Sequence, residues 1–120
     1  MTKSNELEAL IVLAEQGDTA AMVRLGSMYW RGYNVQQNKG EAIKLWQQAA
    51  ELGNSDAWYR LGMRYFEGDT LAQSYKEAVK CFVAADNKNM LGECYLNGLG
   101  VERNIQKTIE LWEADCEDGT

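Results

Sequence analysis

One stretch recurs three times and leaves few folds open. "LGSMYWRGYNV" (25–35), "LGMRYFEGDTL" (61–71) and "LGECYLNGLGV" (91–101) share Leu-Gly, then at intervals of three a tyrosine, a glycine and an aliphatic residue, with Thr-Leu closing the second. Leu25 lies 36 residues before Leu61, and Leu61 lies 30 before Leu91. The segments that follow keep the same offsets. "GEAIKLWQQAAELG", "KEAVKCFVAADNK" and "QKTIELWEADCEDG" align Trp46, Phe82 and Trp112, and Ala49 with Ala85. A period of this size marks stacked supersecondary units.

Each unit carries two helical patterns. Ala21, Leu25, Tyr29 and Gly32 fall on one helix face, as do Ala57, Leu61, Tyr65 and Gly68. The second pattern is the apolar stripe of Ala42, Ile43, Trp46, Ala49 and Ala50, matched by Ala78, Val79, Phe82 and Ala85. Small residues in both stripes let two helices approach closely, and the Trp and Tyr positions read as core packing.

The punctuation agrees. Asn38, Ser74 and Asn104 share an aligned position suited to capping each second helix. Glu41 and Glu77 stand three residues later, as a capping box requires. Gly17 and Gly53 suit left-handed helix ends, and Asp18 and Asn54 can start the helices that follow. "LEALIVLAEQG" matches the end of a second helix, so the chain starts with half a unit. The expectation is seven helices in one domain over 1–120: a leading helix at about 5–16 and repeats at about 18–53, 54–86 and 87–119.

These residues resemble the Sel-one-like repeat family, a relative of the tetratricopeptide repeat. The pattern is carried by Leu25, Gly26, Tyr29, Gly32, Val35, Asn38, Ala42, Trp46, Ala49, Ala50 and Gly53, and the likeness covers about residues 18–120. The resemblance implies an all-α fold, a short right-handed α-solenoid of antiparallel helix pairs, whose concave face holds a protein or peptide. It also implies an adaptor, regulator or secretion-related role, or an immunity or inhibitor role like that of some bacterial members.

By analogy with the tetratricopeptide repeat, the concave positions are Val23, Ser27, Trp30 and Arg31 in the first unit. They are Tyr59, Met63, Phe66 and Glu67 in the second, and Asn89, Glu93, Leu96 and Asn97 in the third. Trp30, Phe66 and Leu96 form an aligned apolar row, and aromatic side chains are what binding hot spots tend to use. Arg24, Arg60 and Arg64 form a second set, read as solvated surface or as partners of nearby acids.

Charge narrows the partner. The net charge is −6, and no base follows Lys107 while Glu110, Glu113, Asp115, Glu117 and Asp118 do. Phosphate backbones need a basic face, so nucleic acid is not expected. The N-terminus has no apolar signal run and no window reaches the length of a membrane span, which reads as cytoplasmic with no membrane partner. Three cysteines without a CxxC pair, Cys81, Cys94 and Cys116, read as small buried side chains.

Histidine is absent, which removes the commonest general base and transition-metal ligand. No cofactor or metal is expected, and the two glycines of "YLNGLGVERN" lack the lysine and serine of a nucleotide loop. Three readings compete: a non-catalytic module binding a peptide or protein in its groove, an acidic inhibitor of a basic effector or toxin, and an enzyme using Cys94. Apolar stripes left open at the ends of the array leave room for a homodimer.

Two departures from the repeat matter. The hinge reads "GLGV" in the third unit but "GDTL" in the second, where β-branched Thr70 resists a left-handed backbone; a differently shaped second loop is predicted. Twelve positions separate Ala49 from Leu61, but only six separate Ala85 from Leu91. The helices flanking "DNKN" (86–89) must together lose more than a turn.

Overall fold

The computed structural model describes residues 3–119, with the side chains of 5–116. Its described residues form seven α-helices and no strand. These are α1 (Lys3–Glu15), α2 (Thr19–Arg31), α3 (Lys39–Glu51), α4 (Ser55–Glu67), α5 (Tyr75–Ala84), α6 (Lys88–Asn97) and α7 (Ile105–Gly119). They fall into two compact units, Met1–Trp58 and Tyr59–Thr120. In the first, α1 packs on α2 and α2 on α3; in the second, α5 packs on α6 and α6 on α7. Glu117 and Asp118, from the acidic C-terminal run, lie outside the described side chains.

The Leu-Gly glycine explains how each hairpin closes. A Cβ on Gly26 would stand 2.6 Å from Trp46 Nε1, and one on Gly62 would stand 2.6 Å from Phe82 Cε1. At Gly92 the Trp112 ring comes closer still. The missing side chain is therefore the seat for the aromatic of the second helix. With its ring so close, the Trp46 indole donates to the Val23 carbonyl at 3.2 Å, and the Trp112 indole to the Asn89 carbonyl at 3.1 Å. Phe82 has no such donor and is held by packing, at 0% exposed. Thr108 fills the slot held by Ala42 and Ala78 elsewhere, and satisfies its buried hydroxyl by donating to the Gly92 carbonyl at 2.9 Å.

The hinge between the helices of a pair is built the same way three times. Gly32, Gly68 and Gly98 end their helices at φ of 73°, 73° and 67°. The chain then folds back so that the cap residue's N–H reaches a tyrosine carbonyl: Asn38 to Tyr29, Ser74 to Tyr65, Asn104 to Tyr95, at 2.9, 3.0 and 2.8 Å. The preceding residue secures the same return, since Gln37, Gln73 and Arg103 donate to the carbonyls of Trp30, Phe66 and Leu96. The cap side chains accept from the N–H groups of Glu41, Glu77 and Lys107, as expected. The reciprocal half of the capping box has no place here, because the tyrosine carbonyl already takes the N–H that Glu41 or Glu77 would have bound.

The second loop is not shaped differently. Thr70 has φ 73° and Gly100 φ 74°, with Asn34 at 64°. The shared return to tyrosine dictates the backbone, and Thr70 conforms because its side chain is exposed and its hydroxyl donates to Asp69 at 3.1 Å. Conforming costs roughly 1–2 kcal/mol for a left-handed β-branched residue.

The six-residue deletion is shared equally. Helices α5 and α6 have 10 residues each where α3 and α2 have 13. The turn after α1 is closed by Gly17 N–H to Ala14 and Asp18 N–H to Leu13, and the turn after α3 by Gly53 to Ala50 and Asn54 to Ala49. After α5 the same pair of bonds runs from Asp86 to Val83 and from Asn87 to Phe82. After α5 the closing carbonyl that Ala49 supplies after α3 is thus supplied by Phe82, and Ala85 has already left the helix. Asp86 takes the glycine's left-handed place at φ 53°, and Asn87 caps α6 by accepting from Met90 N–H at 2.9 Å. Each helix gives up about one turn.

Candidate functional site

The expected concave positions have three fates. Val23 is core, 6% exposed, with its carbonyl taken by the Trp46 indole and the Ser27 hydroxyl. Arg31, Glu67, Asn89, Glu93 and Asn97 are exposed. The rest, Ser27, Trp30, Tyr59, Met63, Phe66 and Leu96, are half-buried.

In the first unit Trp30 leans on Trp46, with ring centroids 5.5 Å apart, and the Lys39 ammonium sits 4.6 Å above its ring. Ser27 and Arg31 line a cleft of about 430 Å³ together with Glu6, Arg24, Met28 and Tyr33. Arg24, itself exposed, pairs there with the half-buried Glu6 at 2.5 Å, the solvated pairing expected of that arginine. Arg64, in the second unit, is more enclosed and pairs with Glu67 at 3.1 Å.

In the second unit the aromatic set has a rigid backing. Phe82 belongs to a buried cluster with Ala78, Leu91 and Cys94. Tyr59 and Phe66 rest on Phe82 at 6.4 and 6.2 Å between centroids, and Phe66 meets Tyr75 edge-on at 5.2 Å. Met63 packs against the same cluster. Each keeps part of its surface in solvent while its rotamer is held from behind.

The cysteines divide. Cys81 and Cys94 are buried, but Cys116 is exposed, against expectation, because no described residue covers that side of α7. Burial, helped by Glu93 beside Cys94 and Glu77 beside Cys81, pushes both buried thiols up from 9.0 to about 11. A nucleophilic cysteine needs the opposite shift, so Cys94 is not a thiolate at neutral pH. Among the described residues no group of three or more Cys, Asp or Glu could hold a metal ion, and no helix is long and apolar enough to cross a membrane.

Helix pairs seated on a glycine–aromatic contact and joined by a left-handed glycine hinge define a helical repeat protein of the α-solenoid class. The chain belongs to the Sel1 repeat family, which matches at residues 19–54, 55–85 and 88–117. It is similar to a Sel1 repeat protein from Oxalobacter formigenes, with TM-score 0.88 and 28% identity over 96% of this chain and 91% of that one. It is also similar to a protective antigen of uropathogenic Escherichia coli strains displaying an SLR fold, with TM-score 0.88 and 30% identity over 95% of this chain. The chain spans only 26% of that antigen's length. No curated protein matches it. Sel1 repeats are in general protein–protein interaction modules, and proteins of this fold are typically non-catalytic scaffolds.

Proposed function

We propose that this chain is a non-catalytic interaction module that holds a partner protein or peptide on its first-helix residues. The contact set is Ser27, Trp30 and Arg31 in the first unit, and Tyr59, Met63, Phe66, Asn89, Glu93 and Leu96 in the second. The observation that carries the reading is the backing of Tyr59 and Phe66 by Phe82. Aromatic side chains already fixed by packing lose little entropy when a partner covers their exposed faces.

The test is calorimetric titration against a partner recovered from the native host by crosslinking, comparing the wild type with Trp30→Ala combined with Met63→Ala. Loss of at least about 2 kcal/mol of binding with unchanged helicity supports the contact set. Unchanged affinity in a folded variant refutes it.

A second reading, an acidic inhibitor of a basic effector, is favoured by the net charge of −6. It requires association to weaken steeply as salt rises from about 0.05 to 0.5 M, because steering between opposite charges is screened. A partner that ignores salt but responds to Trp30 excludes it.

A further inference from the structure

A second cleft in the first unit lies away from the positions named above. It occupies about 620 Å³ between α1, α2 and α3. Its floor is apolar: Met22 and Leu25 from α2, Leu45 from α3, and the half-buried Ile11 from α1. Leu52 stands at its edge, 61% exposed, just past the end of α3. An exposed leucine continuous with an apolar floor marks a surface that gains by being covered.

The rim has one sign. Glu15, Glu41 and Glu51 line the cleft, and no lysine or arginine does. Lys44 is exposed on a neighbouring stripe of α3 and is not part of the lining. None of the three carboxylates makes an ion pair among the described residues. A second copy of this chain would bring further negative charge to the rim, since the net charge is −6. The complementary occupant is apolar along one face and cationic along its flanks.

We infer that the cleft between α1 and α3 is a docking site for a basic amphipathic helix of a partner protein. The floor from Met22 to Tyr29 spans eight residues of α2, about 10 Å from first to last, which is the length of two turns of an incoming helix. Apolar side chains at helical spacing seat on the floor, and lysine or arginine on either side reaches the three glutamates. The proposal rests on the interaction-module reading but uses a different surface, so the two fail independently.

The experiment uses the full chain and a fluorescent peptide of about 14 residues, with leucine and lysine placed at helical period. Fluorescence anisotropy should report binding, and Glu15→Gln with Glu51→Gln should weaken it about tenfold. Leu52→Ser, at a position too exposed to disturb the core, should weaken it by a similar factor. Glu102→Gln with Glu110→Gln removes the same charge elsewhere and should leave affinity unchanged.

The site is overturned if the peptide does not bind, or if the control pair weakens it as much as the rim pair. Equal binding of a leucine–glutamate peptide, or of a serine–lysine peptide lacking the apolar face, overturns it as well. Self-association that Leu52→Ser abolishes would make a second copy the occupant and would equally refute the proposal. Trp30→Ala with Met63→Ala should not alter peptide binding, whatever it does to the contact set proposed above.

Discussion

Two of the glycine seats, Gly62 and Gly92, predict an order of stability that distance alone would reverse. A Cβ on Gly62 would lie 2.6 and 2.9 Å from two carbons of Phe82 and 3.0 Å from Cys81 Cβ, well inside van der Waals contact. Phe82 is 0% exposed and held by Tyr59 and Phe66, so it has nowhere to go. Overpacking of this kind costs about 1–3 kcal/mol, and the boxed ring puts Gly62→Ala at the upper end. Alanine returns about 1 kcal/mol of helix propensity, leaving a net loss of about 2 kcal/mol. At Gly92 the Cβ would press harder on Trp112, yet that ring is 37% exposed on the last helix and can swing into solvent. The swing sacrifices the indole bond to Asn89, about 1 kcal/mol, which the propensity gain offsets. Urea and thermal unfolding, both followed by far-UV circular dichroism, should therefore show Gly62→Ala clearly destabilised, with a melting temperature lower by about 8 °C, and Gly92→Ala near the wild type. If Gly92→Ala loses as much as Gly62→Ala, closeness and not the neighbour's freedom sets the cost, and the reasoning fails.

The left-handed hinge positions give a second contrast: Thr70→Asn should stabilise by about 0.5 kcal/mol. Gly100→Ala should destabilise by about 2 kcal/mol or more, because its Cβ would meet the Tyr75 carbonyl whereas that of Thr70 is exposed. Chemical denaturation measures both. Iodoacetamide at neutral pH should label Cys116 alone in the native protein and all three cysteines in denaturant; native labelling of Cys94 would contradict its burial. The two buried thiols have folded values raised to about 11 from 9.0, so their contribution to stability is complete below pH 9 and lost as pH climbs through 11. A Cys81→Ser, Cys94→Ser variant should show a flatter fall in unfolding free energy across that window. The one-domain proposal is checked by coincidence of the circular dichroism and tryptophan fluorescence transitions in urea; two separated midpoints would divide the chain.

What was legible in the sequence was local. Asn38, Ser74 and Asn104 cap the helices they precede because a cap needs only its own side chain and the next turn. Gly32, Gly68 and Gly98 end theirs because a left-handed turn selects glycine. The register of the shortened repeat was less visible. Ala85 resembles Ala49 in kind, but the backbone bond from Asn87 to Phe82 fixes the end of α5 one turn earlier, and no composition records which residue closes a turn. The backbone at Thr70 departs from its side-chain preference for a related reason. Side-chain preference argues from one residue, whereas the loop is set by Ser74, Gln73 and Tyr65 acting together.

Exposure was the least legible property. Trp46, Phe82 and Trp112 hold one aligned position and one seat on a glycine, yet they are 2%, 0% and 37% exposed. Place in the array, not residue type, decides whether that ring is core or surface, and the same holds for Cys116 against Cys81 and Cys94. Candidate binding residues inherit this difficulty. Val23 sits at an expected contact position yet belongs to the core, while Leu52 looks in sequence like the end of a buried stripe and is open to solvent. A repeat motif specifies how a hairpin closes on itself. Partner recognition lies in the residues the closing leaves over, and those are found by asking of each unit what remains uncovered.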